Sequence, residues 1–122
     1  MMLRAIILCL MSAAFATSTI AQETAAVGTG AVLRAMDKLS GDVVDFDLLP
    51  AQTKQLGRIQ VTLDECRYPV DNPTGEAFAY LRIRNAGVEQ VAFEGWMIAS
   101  SPALNALDHA RYDVWVLRCT TS

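Results

Sequence analysis

His109 is the only histidine of the 122-residue chain, and a lone imidazole among hydroxyls and carboxylates is the first place to look for acid–base chemistry. Ser100 and Ser101 precede it, and Asp108 and Asp113 flank it. These are the residue types of a hydrolytic triad, in which the imidazole takes a proton from the serine and a carboxylate fixes the tautomer. Neither serine lies in the glycine pattern of a nucleophile elbow, and Ser100-Ser101-Pro102 reads well as a turn. The sequence therefore assigns no catalytic residue. It gives His109 a structural or interface role, donating to a loop carbonyl. The alternative is a small periplasmic hydrolase or ligand-binding protein that uses the His109/Ser100/Ser101 region.

The carboxylates are scattered. Asp42, Asp45 and Asp47 are close enough in sequence to meet in a hairpin, but they lack the spacing of a calcium-binding loop. Gly28 and Gly30 do not follow a strand, and no phosphate-binding or dinucleotide fingerprint is present. No metal and no cofactor are expected. Nucleic acid is not an expected partner either. The chain carries 10 Lys+Arg against 13 Asp+Glu, with no basic run to track a phosphate backbone.

The cysteines depend on the compartment. Arg4 is followed by the apolar run Ala5 to Met11 and then by small residues up to Ala21. That is the layout of a secretory signal peptide, with cleavage expected after Ala21 and the mature chain exported to the periplasm. The apolar run is too short to span a bilayer as a helix. Cys9 leaves with the leader and is preceded by Leu8, which does not suit a lipoprotein anchor. Cys66 and Cys119 remain, an even number in an oxidising compartment. Their spacing is not Cys-x-x-Cys, and no second histidine is available to complete a zinc site. A disulfide is expected, closing about 54 residues and stabilising the domain by roughly 4 kcal/mol.

The elements that position these residues read as strands. Residues 22–30 are small and polar, a flexible lead-in. Residues 31–37 and 43–48 suggest a hairpin around Leu39 to Asp42, with a helix over Val32 to Leu39 as the competing reading. Leu48 to Leu56, containing Pro50, reads as a connection with room for one helical turn. From Gly57 to Cys66 the sequence alternates strictly, with Ile59, Val61 and Leu63 on one face. Ala77 to Arg84 forms another strand, with Ala77, Ala79, Leu81 and Ile83 on one face. Asn85-Ala86-Gly87 turns into a strand at Glu89 to Met97. A long connection over 98–111 has room for a helical turn at Ala103 to Leu107. Asp113 to Cys119 closes the domain, and residues 120–122 are a tail. A single domain over 31–119 is predicted to be mainly β, a small antiparallel barrel or sandwich of five to six strands with one long loop.

Phe93, Trp96, Tyr112 and Trp115 bracket that loop. They either fill the core or form an exposed patch for a partner protein. Trp115 is expected in the core. The candidate interaction surface is Trp96, Ser100, Ser101, Pro102, His109 and Tyr112.

The stretches Gly95 to Leu104 and Leu107 to Cys119 resemble the alphaproteobacterial family numbered 2155 among the domains of unknown function. Met36-Asp37-Lys38 before Ser40-Gly41, the central Cys66, and Ala77-Phe78 extend the resemblance over residues 30–119. A proline often follows the family's histidine, where this chain has Ala110. The resemblance implies an exported single domain with no assigned activity, so it carries over no catalytic residue. Related genes often sit beside that of a small accessory subunit of respiratory complex I. That context implies a place near the respiratory membrane, with peripheral contact to an inner-membrane complex. The function expected from residues and resemblance together is a non-enzymatic periplasmic accessory or protein-interaction domain whose protein partner is unidentified.

Overall fold

A computed structural model describes Ala14 and residues 24–122. The rest of the expected signal peptide, with its cleavage site and Cys9, lies outside the described residues. The fold is mainly β, as expected, with eight strands among the described residues: β1 (Ala25–Val27), β2 (Gly30–Asp37), β3 (Val43–Leu48), β4 (Thr53–Leu56), β5 (Ile59–Pro69), β6 (Phe78–Asn85), β7 (Val91–Ile98) and β8 (Tyr112–Thr120). All pairings are antiparallel. One sheet runs β1-β5-β6-β7, with β4 also on β5; the other runs β3-β2-β8. Neither sheet closes on itself, so the barrel alternative is not realised.

The inward faces of both sheets supply one core. Leu33, Leu48, Val114 and Val116 from one sheet and Ile59, Val61, Leu63, Leu81, Ile83 and Met97 from the other are almost fully buried in it. Period-two alternation explains most of this burial directly. The helix alternative for Val32 to Leu39 fails because this segment is the central strand of the smaller sheet, hydrogen-bonded on both sides. Its hairpin turn is held by Asp37, whose carboxylate accepts the Leu39 amide (2.9 Å), and by Gly41 at φ 79°.

The two strands beyond the expected count are short. Residues 25–27, read from the sequence as part of a flexible lead-in, pair with β5 at Val27↔Arg67. The chain then crosses between sheets: the Gly28 amide donates to Cys66 O (2.7 Å) and the Thr29 amide to Thr120 O (2.8 Å). A Cβ on Gly30 would come within 2.4 Å of Leu48 O, so the crossing requires glycine there. β4 replaces the expected helical turn before Leu56. Its Thr-Lys-Gln-Leu sequence is polar and exposed, so it carries no alternation to betray it, and pairing with β5 decides its conformation. The 98–111 connection forms turns and no helix, and Leu107 anchors it in the core.

Cys66 and Cys119 are bonded, with their Cα atoms 5.6 Å apart, and join β5 of one sheet to β8 of the other. Each arrives there after a one-residue register shift. Strict alternation from Ile59 through Leu63 would turn Glu65 inward. The irregularity between Leu63 and Glu65 turns Cys66 in instead. In β8, alternation from Val114 and Val116 would bury Arg118. The shift opposite Val32/Leu33 leaves Arg118 exposed and buries Cys119.

Candidate functional site

His109 sits at the end of the long connection, where β6 finishes and β8 begins. Its Nδ1 accepts the backbone amides of Arg111 (3.0 Å) and Tyr112 (3.1 Å), and its Nε2 lies 2.7 Å from Asn85 Oδ1. With Nδ1 accepting, the ring proton belongs on Nε2 and is donated to Asn85. The partner is thus a side-chain carbonyl at the end of β6. Both nitrogens are filled and neither meets a serine. Around the ring, Lys38 Nζ donates to His109 O (2.8 Å), and Arg111 makes a forked pair with Asp37 at 2.9–3.2 Å. The hydrogen bonds from Arg111 hold the Asp37 carboxyl below the usual carboxylate range.

The serines are used elsewhere. Ser100 Oγ donates to Glu76, which also accepts the amides of Ser100 (3.0 Å) and Ala77 (3.0 Å). Burial pushes the Glu76 carboxyl up, but the hydrogen bonds from the Ser100 hydroxyl and the two amides outweigh it, and the net shift is downward. Ser101 belongs to successive turns, accepting the Leu104 amide (3.1 Å). A hydrolytic constellation of His109 with Ser100 or Ser101 is therefore not assembled. Asp45 is tied to Arg34 at 2.6 and 2.9 Å, and no group of three metal-ligating side chains occurs among the described residues.

The six residues grouped from the sequence as one surface separate into different places. Tyr112 is 5% exposed, and its hydroxyl accepts the Arg58 amide (3.1 Å). Gly57, at φ 56°, lies directly against that hydroxyl. Pro102 lies with Ala103 and Ala106 beside β8, and these residues share a cavity with Trp115. Trp115 itself is not in the core. Val114 and Val116 take the inward positions, so period two turns Trp115 outward.

Trp96 stands on the outer face of the larger sheet, beside Tyr80 across the β6–β7 ladder. Their rings meet edge to face at 5.3 Å, and the Arg67 guanidinium lies over the indole at 5.2 Å. Arg67 pairs with Glu65 (2.6 Å). Tyr80 donates to Glu94 (3.3 Å), Glu94 accepts Arg82 Nε (3.1 Å), and Arg82 reaches Asp64 (2.9 Å). The side chains from Asp64 to Glu65 thus form one continuous network over three strands. Burial and the neighbouring Glu94 carboxylate push the Tyr80 phenol up. Shallow hollows of about 330 Å³ and 280 Å³ lie on either side of Trp96, one against Asp64 and Glu65, the other against Phe78 and Ala25. Sequence reasoning found Trp96 and missed Arg67, Tyr80 and Glu94. The available signal was the polar face of the period-two strands, on which Phe78, Tyr80 and Arg82 fall together.

Beyond geometry, 94 residues are 22% identical to an uncharacterized protein of Rickettsia prowazekii (strain Madrid E). The alignment covers 75% of this chain and 61% of that relative, so the chain spans about three-fifths of the relative's length. No solved structure matches. Residues 31–119, from the second residue of β2 through the second half-cystine, fit the family described as uncharacterized protein conserved in bacteria, DUF2155, and the chain belongs to that family.

Proposed function

We propose that the protein is a non-enzymatic accessory domain of the periplasm, a two-sheet sandwich that binds a protein partner through the outer face of its larger sheet. The observation that carries this reading is the Arg67–Trp96–Tyr80 cluster. Tryptophan, tyrosine and arginine dominate the binding energy of protein interfaces when they are held in place before the partner arrives. Here Arg67 and Tyr80 are each fixed by a carboxylate, and Trp96 is gripped between them. The engagement of both His109 nitrogens with Asn85 and backbone amides supports a non-enzymatic role. The leader-like N-terminus supports a periplasmic location, and the family's gene context supports a partner at the inner membrane.

The test is site-specific photocrosslinking in a bacterium that carries the gene. A crosslinker at Trp96 is expected to give a discrete protein adduct, which Arg67→Glu abolishes. The same probe at Val43, on the other sheet, gives a different pattern or none. Absence of any adduct from Trp96 in correctly exported, folded protein would overturn the reading.

A further inference from the structure

The sheet edges of this molecule are not equally protected. β1 has three residues and β4 has four, including Lys54. β7 pairs with β6 through a register shift, and Asn105 reaches across to Trp96 O (2.9 Å). β8 pairs through a register shift, and Pro102, Ala103 and Ala106 lie beside it. Short strands, lysines, bulges and covering loops are the usual means of blocking an edge. β3 has no lysine, bulge or covering loop of its own; its charges are Asp45 and Asp47 on the outer face, and Lys54 of β4 lies over the Phe46 ring on the inner one. β3 runs for six residues, pairs with β2 in unbroken register, and has no other strand beside it among the described residues.

β3 also exposes apolar surface. Val43 is 54% and Val44 46% exposed, although Phe46 and Leu48, on the same face as Val44, are buried. Val44 is exposed because the two sheets part there. A cavity of about 190 Å³ opens between Val44, Ala35 and Tyr112 of the smaller sheet and Leu56 and Gly57 at the end of β4, with Asp42 and Arg111 also in its lining. An antiparallel ladder places same-face side chains of neighbouring strands against each other. A strand added to β3 would therefore project one side chain beside Val44 and into this cavity.

The charges select the occupant. Asp45 and Asp47 lie on the opposite face of β3, and Asp42 precedes the strand. Asp45 is matched by Arg34, whereas Asp42 and Asp47 make no ion pair among the described residues. A second copy of β3 would set aspartates near aspartates, which disfavours self-pairing. We infer that the β3 edge is a strand-addition site for an extended basic segment of a partner protein, in which Lys or Arg alternates with apolar residues and one apolar side chain enters the Val44–Leu56 cavity. Main-chain hydrogen bonds supply the affinity, and the cavity and aspartates supply register and selectivity. This site is separate from the Trp96 face and does not rest on the function proposed for it.

The test uses the exported protein, produced from the full chain in a secreting host and isotopically labelled. The probes are the capped peptides Lys-Val-Lys-Leu-Lys-Val and Glu-Val-Glu-Leu-Glu-Val. The basic peptide is expected to shift the amide resonances of Val43–Leu48 and Leu56, with binding that weakens as salt is added. The acidic peptide is expected to give no shifts. Asp47→Lys combined with Asp42→Lys should weaken the basic peptide about tenfold or more, because each change turns an attraction into a repulsion. Val44→Lys should block the cavity. Both variants alter exposed side chains, and a circular dichroism spectrum checks that they fold. Trp96→Ala should leave peptide binding unchanged, so this result and the crosslinking result stand or fall separately. Equal binding of both peptides, no binding, or shifts confined to the Trp96 face would overturn the assignment, as would self-association through β3.

Discussion

His109 closes the β7–β8 connection with three hydrogen bonds, one to Asn85 and two from backbone amides. Its replacement by alanine leaves the partly buried Arg111 and Tyr112 amides without that acceptor. The expected cost is about 1–3 kcal/mol, measured by urea denaturation. His109→Asn should recover part of it, because an amide oxygen can accept one of the two bonds. A hydrolytic role predicts instead an activity lost in both variants without a change in stability. Glu76 gives a second residue-level prediction. Its carboxyl is held below its ordinary range, so the unfolded chain binds its proton at a higher pH than the folded one. The corresponding stability is present above the unfolded value and is lost as pH falls through the folded one. Glu76→Gln should flatten that acid limb of the stability curve. An acid limb identical in both proteins would remove Glu76 from the account.

At the scale of the element, the two register shifts decide which residues face inward. Deleting Asp64 leaves Leu63↔Leu81, Glu65↔Tyr80 and Cys66↔Ala79 in register as a regular ladder, so Cys66 still points into the core. Deleting both Asp64 and Glu65 instead sets Cys66 directly after Leu63, opposite the outward-facing Tyr80, and turns it outward. The single deletion should show no free thiol among Cys66 and Cys119 on titration of the unreduced protein, and the double deletion should show two. The strands from Ile59 to Leu63 and from Ala79 to Ile83 were legible in the sequence because alternation needs only local information. The shifts were not, because a bulge exists only relative to the partner strand. β4 was illegible for a related reason: Thr53, Lys54 and Gln55 have no buried face, and only β5 beside them makes a strand.

For the whole molecule, the Cys66–Cys119 bond ties the two sheets together across 53 positions. Replacing both cysteines by alanine should cost roughly 4 kcal/mol in the chain-entropy account, less if the unfolded chain stays compact. The midpoint of denaturation should fall to that of the wild type under reducing conditions. Identical midpoints for wild type and double variant without reductant would mean that the bond contributes nothing. The same two-sheet closure explains the dispersal of the candidate surface. Trp96 is carried to the outer face of the larger sheet, Tyr112 faces inward beside Gly57, and Ser100 turns toward Glu76. Residues close along the chain are parted because successive strands lie in different sheets.

Alternation along the chain was enough to read the β character and the inward rows of β5 and β6, and the expected loss of Cys9 pointed to Cys66 and Cys119 as the pair. Alternation and cysteine arithmetic are properties of the chain and need no partner. Packing between strands set the phase in which each cysteine faces the core, the outward position of Trp115, the tautomer of His109 and the cluster of Arg67 with Trp96 and Tyr80. Each of these depends on a neighbour distant in sequence, and the packing of one sheet on the other brings that neighbour into contact or excludes it.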